Sequence, residues 1–362
     1  MASHMSSTPL VQKFGSQAVA GDYAGAETVL YFGSASEELE ALRHGCGIFD
    51  LGWRGKLVVS GEDRVRWLNG MVTNNVRDLP QDFGNYNFVL NAQGRIQGDL
   101  MIFQRGEFFV METETAQIQG VREFLERFII MDEVEIGDIS SRLTSIGVAG
   151  PLALEVLTKA GLNPGTSKTG QVLDGSWKGA GFSLVRDPIE ARDWYELWLA
   201  PEKVEAFWTA LVEAGAAPVG AEALEWQRIL LGLPRVGLET GAKVLPQETG
   251  QENALHYTKG CYIGQEIVER IHSRGQVHRR LSGLIFKGEL AAPGSKVLAG
   301  EKEIGEMTSA AEIVVDGVRR RVALGYVRRE ATARSAEESD FSKVTVGGSP
   351  AEISALPFQF QE

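Results

Sequence analysis

The apolar pattern of this 362-residue chain changes character after Gly232. Before it, stretches with apolar residues at helical spacing alternate with short extended runs. After it, residues 276–346 hold only short extended runs separated by glycine and proline: Arg280–Phe286, Ile304–Thr308, Val322–Val327 and Lys343–Val346. The chain reads as α+β followed by a β-barrel or sandwich of roughly 80–90 residues. The polar run Glu330–Asp340 reads as a mobile loop.

The first part divides again. Helical spacing covers Ser36–His44, and Gly55–Ser60 reads as a strand. Ser60 and Asp63 have capping-box spacing ahead of a helix whose apolar face begins with Val65 and Leu68. Tyr86–Leu90 and Ile96–Phe103 read as strands flanking the turn Asn91–Gly94, and Glu107–Thr113 as a third. Ala116–Phe128 has helical spacing, and Val134–Ile139 is extended. A second block repeats the theme. Leu143–Val148 is a strand, Gly150-Pro151 a turn and Leu152–Ala160 a helix, and Trp194–Leu199 is strongly strand-like. Pro201 suits the first turn of a helix reaching Ala214, and Gly232 and Pro234 end a helix over Ala221–Leu231. Residues 58–70 and 147–161 share a strand–glycine–helix layout, a faint internal repeat.

Composition removes several function classes. Forty-eight acidic residues against 36 basic give a net charge of −12, which argues against nucleic acid as a partner. No apolar run reaches the roughly 18 residues of a membrane span. No charged-then-apolar leader opens the chain, and Met1–Met5 reads as a vector remnant, so the expected location is the cytoplasm. The two cysteines, Cys46 and Cys261, form no disulfide framework and no C-x-x-C pair, and the five histidines form no H-x-x-x-H cluster. No metal bound by the chain alone is expected.

The most distinctive segment is Lys259-Gly260-Cys261-Tyr262-Ile263-Gly264-Gln265-Glu266, followed by Arg270 and the Arg274-Gly275 step. It resembles the K-G-C-[FY]-x-G-Q-E signature of the YgfZ-type folate-binding proteins. These are the iron–sulfur-maintenance branch of the superfamily that includes the glycine-cleavage T protein, an aminomethyltransferase. Other pieces fit in order along nearly the whole chain: Gly47–Leu51, Asn69–Asn75, Tyr86–Leu90 with Gly94–Leu100, Trp194–Leu197, Arg228–Gly237 and Pro246–Glu248.

The resemblance implies a three-domain ring with tetrahydrofolate in its central cleft. Residues 6–52 and 140–240 would interleave as one α+β module and 53–139 would form the second. Residues 241–275 would be a linker carrying the cysteine motif, and 276–362 the barrel. Glu196 would accept the pterin's guanidine-like N–H edge in a bidentate fork; its residue-level alternative is an exposed strand carboxylate. Tyr86 would contact the ring, or be a core aromatic. Arg228 would meet the glutamyl carboxylate, or be a solvated or ion-paired helix arginine. Asp99 would approach the reactive nitrogens and stabilise developing positive charge; Gly98 stands where aminomethyltransferases often carry a second aspartate.

Cys261 would be a functional thiol, its thiolate favoured by Lys259, or a small buried hydrophobe. Cys46 reads as structural. Between Thr258 and Lys287 basic residues outnumber acidic ones, a surface suited to a polyglutamylated folate tail or an acidic partner. The expected function is tetrahydrofolate binding in support of iron–sulfur enzyme assembly or repair, with iron–sulfur enzymes or cluster carriers as partners. The alternative is a folate-dependent aminomethyl- or methyltransferase using Asp99 and Glu196.

Overall fold

The structure is a computed structural model that describes residues 6–14, 18–192, 194–275, 277–334 and 343–360. Met1–Met5 therefore lies outside the described residues. The chain forms two compact units, each assembled from separate stretches. One comprises Met1–Val89, Asp99–Leu224 and Thr258–Tyr262. The other comprises Leu90–Gly98, Glu225–Tyr257 and Ile263–Glu362.

The first unit contains two larger sheets. A six-stranded sheet runs in the order Val172–Trp177, Ala180–Arg186, Trp194–Leu199, Thr144–Ala149, Gly47–Asp50 and Ala217–Val219. Its pairings are antiparallel except the last. Helices Ala153–Lys159 and Val204–Glu213 cover one face, where Val156, Leu157, Phe207 and Leu211 pack on Ile48, Ile146 and Leu197. A five-stranded sheet has the order Gly84–Leu90, Ile96–Arg105, Phe108–Glu114, Arg54–Ser60 and Glu135–Asp138. Helices Arg64–Met71 and Thr115–Glu126 bring Leu68, Val121 and Leu125 onto its Leu57, Ile102 and Met111. A small sheet of Ser6–Ser7, Ala26–Tyr31 and Val19–Tyr23 completes the strands of this unit among the described residues.

The faint repeat is real in three dimensions. In both copies a strand ends at a glycine in the left-handed region, Gly61 at φ 104° and Gly150 at φ 113°, and a helix follows. A Cβ there would meet the Glu133 carbonyl oxygen at 2.0 Å or that of Gly45 at 2.5 Å, so only glycine fits both turns.

The second unit holds a closed barrel of six strands, in the order Arg279–Phe286, Val318–Arg328, Lys302–Val315, Lys296–Ala299, Lys343–Val346 and Ser349–Ser354, the last pairing back onto the first. Leu284, Val297, Ile304, Met307 and Ala323 fill it. Two of its strands are much longer than their apolar cores suggested. Their ends carry a charged ladder in which Glu312 pairs with Arg319 and Arg321, so the alternation there is polar on the outer face. Asp316 and Gly317, both at positive φ, make the hairpin turn.

Several expectations need correcting. The Ser60–Asp63 capping box does not form: Asp63 precedes the helix but accepts from the Glu133 N–H and Arg66 instead. Part of the expected loop Glu330–Asp340 is helical, within Arg329–Arg334, and 335–340 lie outside the described residues. The 241–275 stretch contains a ten-residue helix, Gln265–Arg274, whose apolar residues are too few to announce it. The hairpin Val172–Trp177/Ala180–Arg186 was not foreseen, because its outer strand alternates around glycine and serine rather than β-branched residues.

Candidate functional site

The first unit buries an unusual concentration of charge. Glu196 sits at the centre of the six-stranded sheet, paired in register with Gly147 and Val185, and is only 3% exposed. The reading of an exposed strand carboxylate is thereby excluded. Three charged residues of the five-stranded sheet surround it: Arg54, Lys56 and Glu112, all buried. Arg54 Nε forms a close ion pair with Glu112 Oε1, whereas its NH1 lies 3.9 Å from Glu196 Oε1. Lys56 Nζ donates to Ser145 Oγ at 2.6 Å, stands 3.6 Å from Glu112 Oε2 and lies over the Trp198 ring. The Trp198 indole N–H reaches Glu196 Oε2 at 3.4 Å.

The cations therefore favour Glu112, and Glu196 is left short of positive charge. Burial first, then the negative field of Glu112, push Glu196 up to about 8. Burial likewise lowers Lys56, while the carboxylates around Arg54 outweigh its own desolvation and raise it. A buried carboxyl lacking a full cationic partner suits a ligand that presents a guanidine-like pair of N–H donors. In this sense the residues present fit a pterin.

Tyr86 and Asp99, named separately in the sequence, meet in the structure. The buried Tyr86 hydroxyl donates to Asp99 Oδ2 at 2.8 Å. Gln117 grips Asp99 from the other side, its Nε2 donating to Oδ1 at 2.9 Å while its Oε1 accepts the Asp99 N–H at 3.2 Å. The Asp99 carboxylate is thus fixed by two neutral donors and stays partly accessible. Burial and the neighbouring Asp99 raise the Tyr86 phenol well above its usual range, so it remains a donor. The field of Asp99 also acts on Arg54, linking this pair to the Glu196 group.

The cysteine motif is divided between the units at Tyr262. In the first unit Cys261 is exposed, so the buried-hydrophobe reading fails. Lys259, in contrast, is buried and donates to the carbonyls of Val72, at 2.7 Å, and Asn74. Its ammonium serves those carbonyls and lies over the buried Tyr262 ring, rather than standing free to support a thiolate. Burial and nearby Arg77 lower it to about 7. Gly260 is exposed at φ 99°. In the second unit Gly264, at φ 82°, precedes the helix that begins with Gln265 and Glu266 and carries the exposed Arg270. Cys46 is buried and its thiol is pushed up to about 12 by burial, an inert structural group.

Arg228, in the second unit, has its fork filled by the protein. It donates to both oxygens of Glu225 at 2.9 and 2.6 Å, to Glu239 at 2.9 Å, to the Leu233 carbonyl at 2.6 Å and to Ser309 Oγ at 2.9 Å. The ion-paired reading holds here, and the expected contact with a glutamyl carboxylate would require displacing these partners. Sequence reasoning missed Arg54, Lys56, Glu112 and Gln117. Charged residues alternating along the run Arg54–Val59, where a strand should bury its apolar face, were the available signal.

Residues 11–259 match the GCVT N-terminal domain family. The chain belongs to that family. The aminomethyltransferase of Thermus thermophilus is 29% identical over 360 residues, covering 98% of this chain and 99% of that protein. The aminomethyltransferase of Streptomyces avermitilis is 30% identical over 352 residues, covering 93% and 92%. The crystal structure of the glycine cleavage system aminomethyltransferase T from Bartonella henselae superimposes with a TM-score of 0.85 over 98% of both chains at 21% identity, so the fold is shared. No helix among the described residues is long and apolar enough to cross a membrane.

Proposed function

We propose that this chain is a folate-dependent transferase of aminomethyl or methyl groups. The observation that carries the reading is the under-neutralised Glu196 carboxyl, buried beside Arg54, Lys56 and Glu112 in the same unit as the fixed Tyr86–Asp99–Gln117 group. Burial of this many ionisable groups costs stability, and a cost of that kind is kept where the groups serve a site. The full-length match to proteins named aminomethyltransferases supports the transferase over the iron–sulfur reading. Glu196 would hold the pterin edge of tetrahydrofolate. Asp99, oriented by Tyr86 and Gln117, would stabilise positive charge on the nitrogen that receives or releases the one-carbon unit.

The test combines anaerobic calorimetry with product assays. Wild-type protein should bind tetrahydrofolate saturably and form a one-carbon folate from methylamine on a lipoyl protein or from an N-methylated glycine. Asp99→Asn should keep binding and lose about a hundredfold or more in turnover. Glu196→Ala should lose binding. Failure of the well-folded wild type to bind tetrahydrofolate would end this reading.

One observation favours a second reading. Cys261 is exposed within the intact K-G-C-Y-I-G-Q-E motif, where an accessible thiol serves exchange chemistry or supplies one ligand to a shared cluster. Under it, the folate-binding chain supports iron–sulfur enzymes. A Cys261→Ser variant that fully restored those enzymes in a deletion strain would sink the thiol's role.

A further inference from the structure

The second unit contains a half-open pocket of about 670 Å³ that the proposed transferase site does not use. Its size is that of a small-molecule pocket. Four stretches of the one unit wall it: the hairpin turn around Asn91–Arg95, the segment Ala242–Glu248, the helix Gln265–Arg274 and the pair Val277–His278.

The walls are preformed. Asn91 Oδ1 accepts from the N–H groups of Gln93 and Arg95, both at 3.0 Å, and the Asn91 carbonyl accepts from Gly94 at 2.9 Å, which locks the turn. Gly94 is pressed against the helix: a Cβ there would lie 2.8 Å from that of Ile267. The Ile96 N–H bonds to the Val244 carbonyl at 3.1 Å, and the Gln247 amide to the Val268 carbonyl at 3.0 Å, joining the remaining walls.

Its chemistry is two-sided. Leu245, Ile267 and Ile271 offer half-buried apolar surface. Arg270 shares the helix face of Ile267 and Ile271 by its i+3 spacing from Ile267. Glu248 lines the cavity, but its carboxylate already accepts from Arg279 at 3.1 and 3.2 Å and from the Leu245 N–H at 3.0 Å. Arg95 gives one bond, to the Lys243 carbonyl at 2.9 Å. Among the described residues, neither Arg95 nor Arg270 meets a carboxylate. The Arg95 and Arg270 side chains thus line the pocket beside Leu245, Ile267 and Ile271 without a carboxylate partner among the described residues, in a chain of net charge −12.

The geometry points to a binding site for a doubly anionic small molecule with an apolar body, of the chemistry of an aromatic phosphomonoester or dicarboxylate. Planar forks pair bidentately with either anion, and the leucine and isoleucines cover the body.

The experiment is calorimetric titration of the full chain with phenyl phosphate and, separately, phthalate, with inorganic phosphate as the anion lacking a body. At least one aromatic dianion should bind about tenfold more tightly than inorganic phosphate, as burial of an apolar body supplies. Whichever of the two binds better assigns the anion. Arg270→Ala should weaken that binding about tenfold, the worth of a charge-assisted bond, with its melting temperature unchanged because the side chain is exposed. Glu196→Gln should bind the dianion like the wild type, which separates this site from the folate reading. Binding no better than inorganic phosphate, undiminished binding by Arg270→Ala, or loss of binding in Glu196→Gln would each overturn the proposal.

Discussion

Arg228 and Glu196 are both charged and largely buried, but their partners differ: one is fully paired and the other is short of opposite charge. Arg228 is surrounded by acceptors and holds Glu239, whose carboxylate is fully buried and also accepts from Thr308 and Ser309. Removing one member of such a group strands a buried charge. Arg228→Ala should cost about 3–5 kcal/mol in urea denaturation, and Arg228→Lys should not restore it, because a lysine cannot reproduce the fork. Loss of ligand affinity at unchanged stability would favour the ligand role that the sequence implied. Glu196 is the reverse case, a buried acid short of positive charge. Unfolded, it ionises near its ordinary 4.5, and folded, at about 8. Between these values the folded chain keeps a proton that the unfolded chain has lost, so its contribution to stability falls as pH rises and levels off above 8. Glu196→Gln, neutral at every pH, should flatten the decline in melting temperature between pH 4.5 and 8. An unchanged slope would mean that Glu196 ionises normally.

At the scale of elements, one loop ties the first unit's Tyr86 strand to the cysteine motif. The Thr73-Asn74-Asn75 stretch follows helix Arg64–Met71 and is stitched to the strand Gly84–Leu90. Thr73 Oγ1 accepts from the Phe88 N–H at 2.8 Å, the Asn74 amide donates to the Tyr86 carbonyl at 3.1 Å and Asn87 accepts from the Asn74 N–H at 2.9 Å. The buried ammonium of Lys259 closes the same loop through Val72 and Asn74. Lys259→Met keeps the length and burial but leaves those carbonyls without their donor. It should lower unfolding free energy by about 1–3 kcal/mol, read by urea denaturation, and hydrogen exchange should rise first in residues 72–75. No change in either measurement would show that the lysine is dispensable to the loop.

At the scale of the whole molecule, neither compact unit is a continuous stretch of sequence. The second needs Leu90–Gly98, whose Ile96 N–H bonds to the Val244 carbonyl, although its barrel begins at Arg279. A fragment from Glu225 to Glu362 lacks that stretch. It should show broad, poorly dispersed NMR resonances for residues 241–275 even if the barrel strands pair. A fully dispersed spectrum would show that the barrel's half folds without it.

The division into an α+β part and an all-β C-terminal part, and most elements, were legible because they rest on local signals, whereas the finer fold class came from the ordered motifs. The aromatic-rich strand Trp194–Leu199 and the helix Ala221–Leu231 lie where the apolar pattern puts them. The strand–glycine–helix repeat was visible because backbone sterics allow only glycine at its turns. Tyr86, Asp99 and Glu196 were named by ordered motifs rather than by pattern. Hidden from the sequence were the partners of those residues. Arg54 and Glu112 stand 58 positions apart, and Glu196 a further 84 along, so only the packing of two sheets sets which carboxylate the guanidinium neutralises. Short-range sterics and periodicity were enough to mark most helices, strands and turns from the residues alone, but not the hairpin Val172–Trp177/Ala180–Arg186 or the helix Gln265–Arg274. Tertiary structure alone decided that Glu196 is short of charge, that Lys259 serves carbonyls and that Arg228 is already paired, because burial and distance, which set electrostatic strength, exist only once distant strands meet.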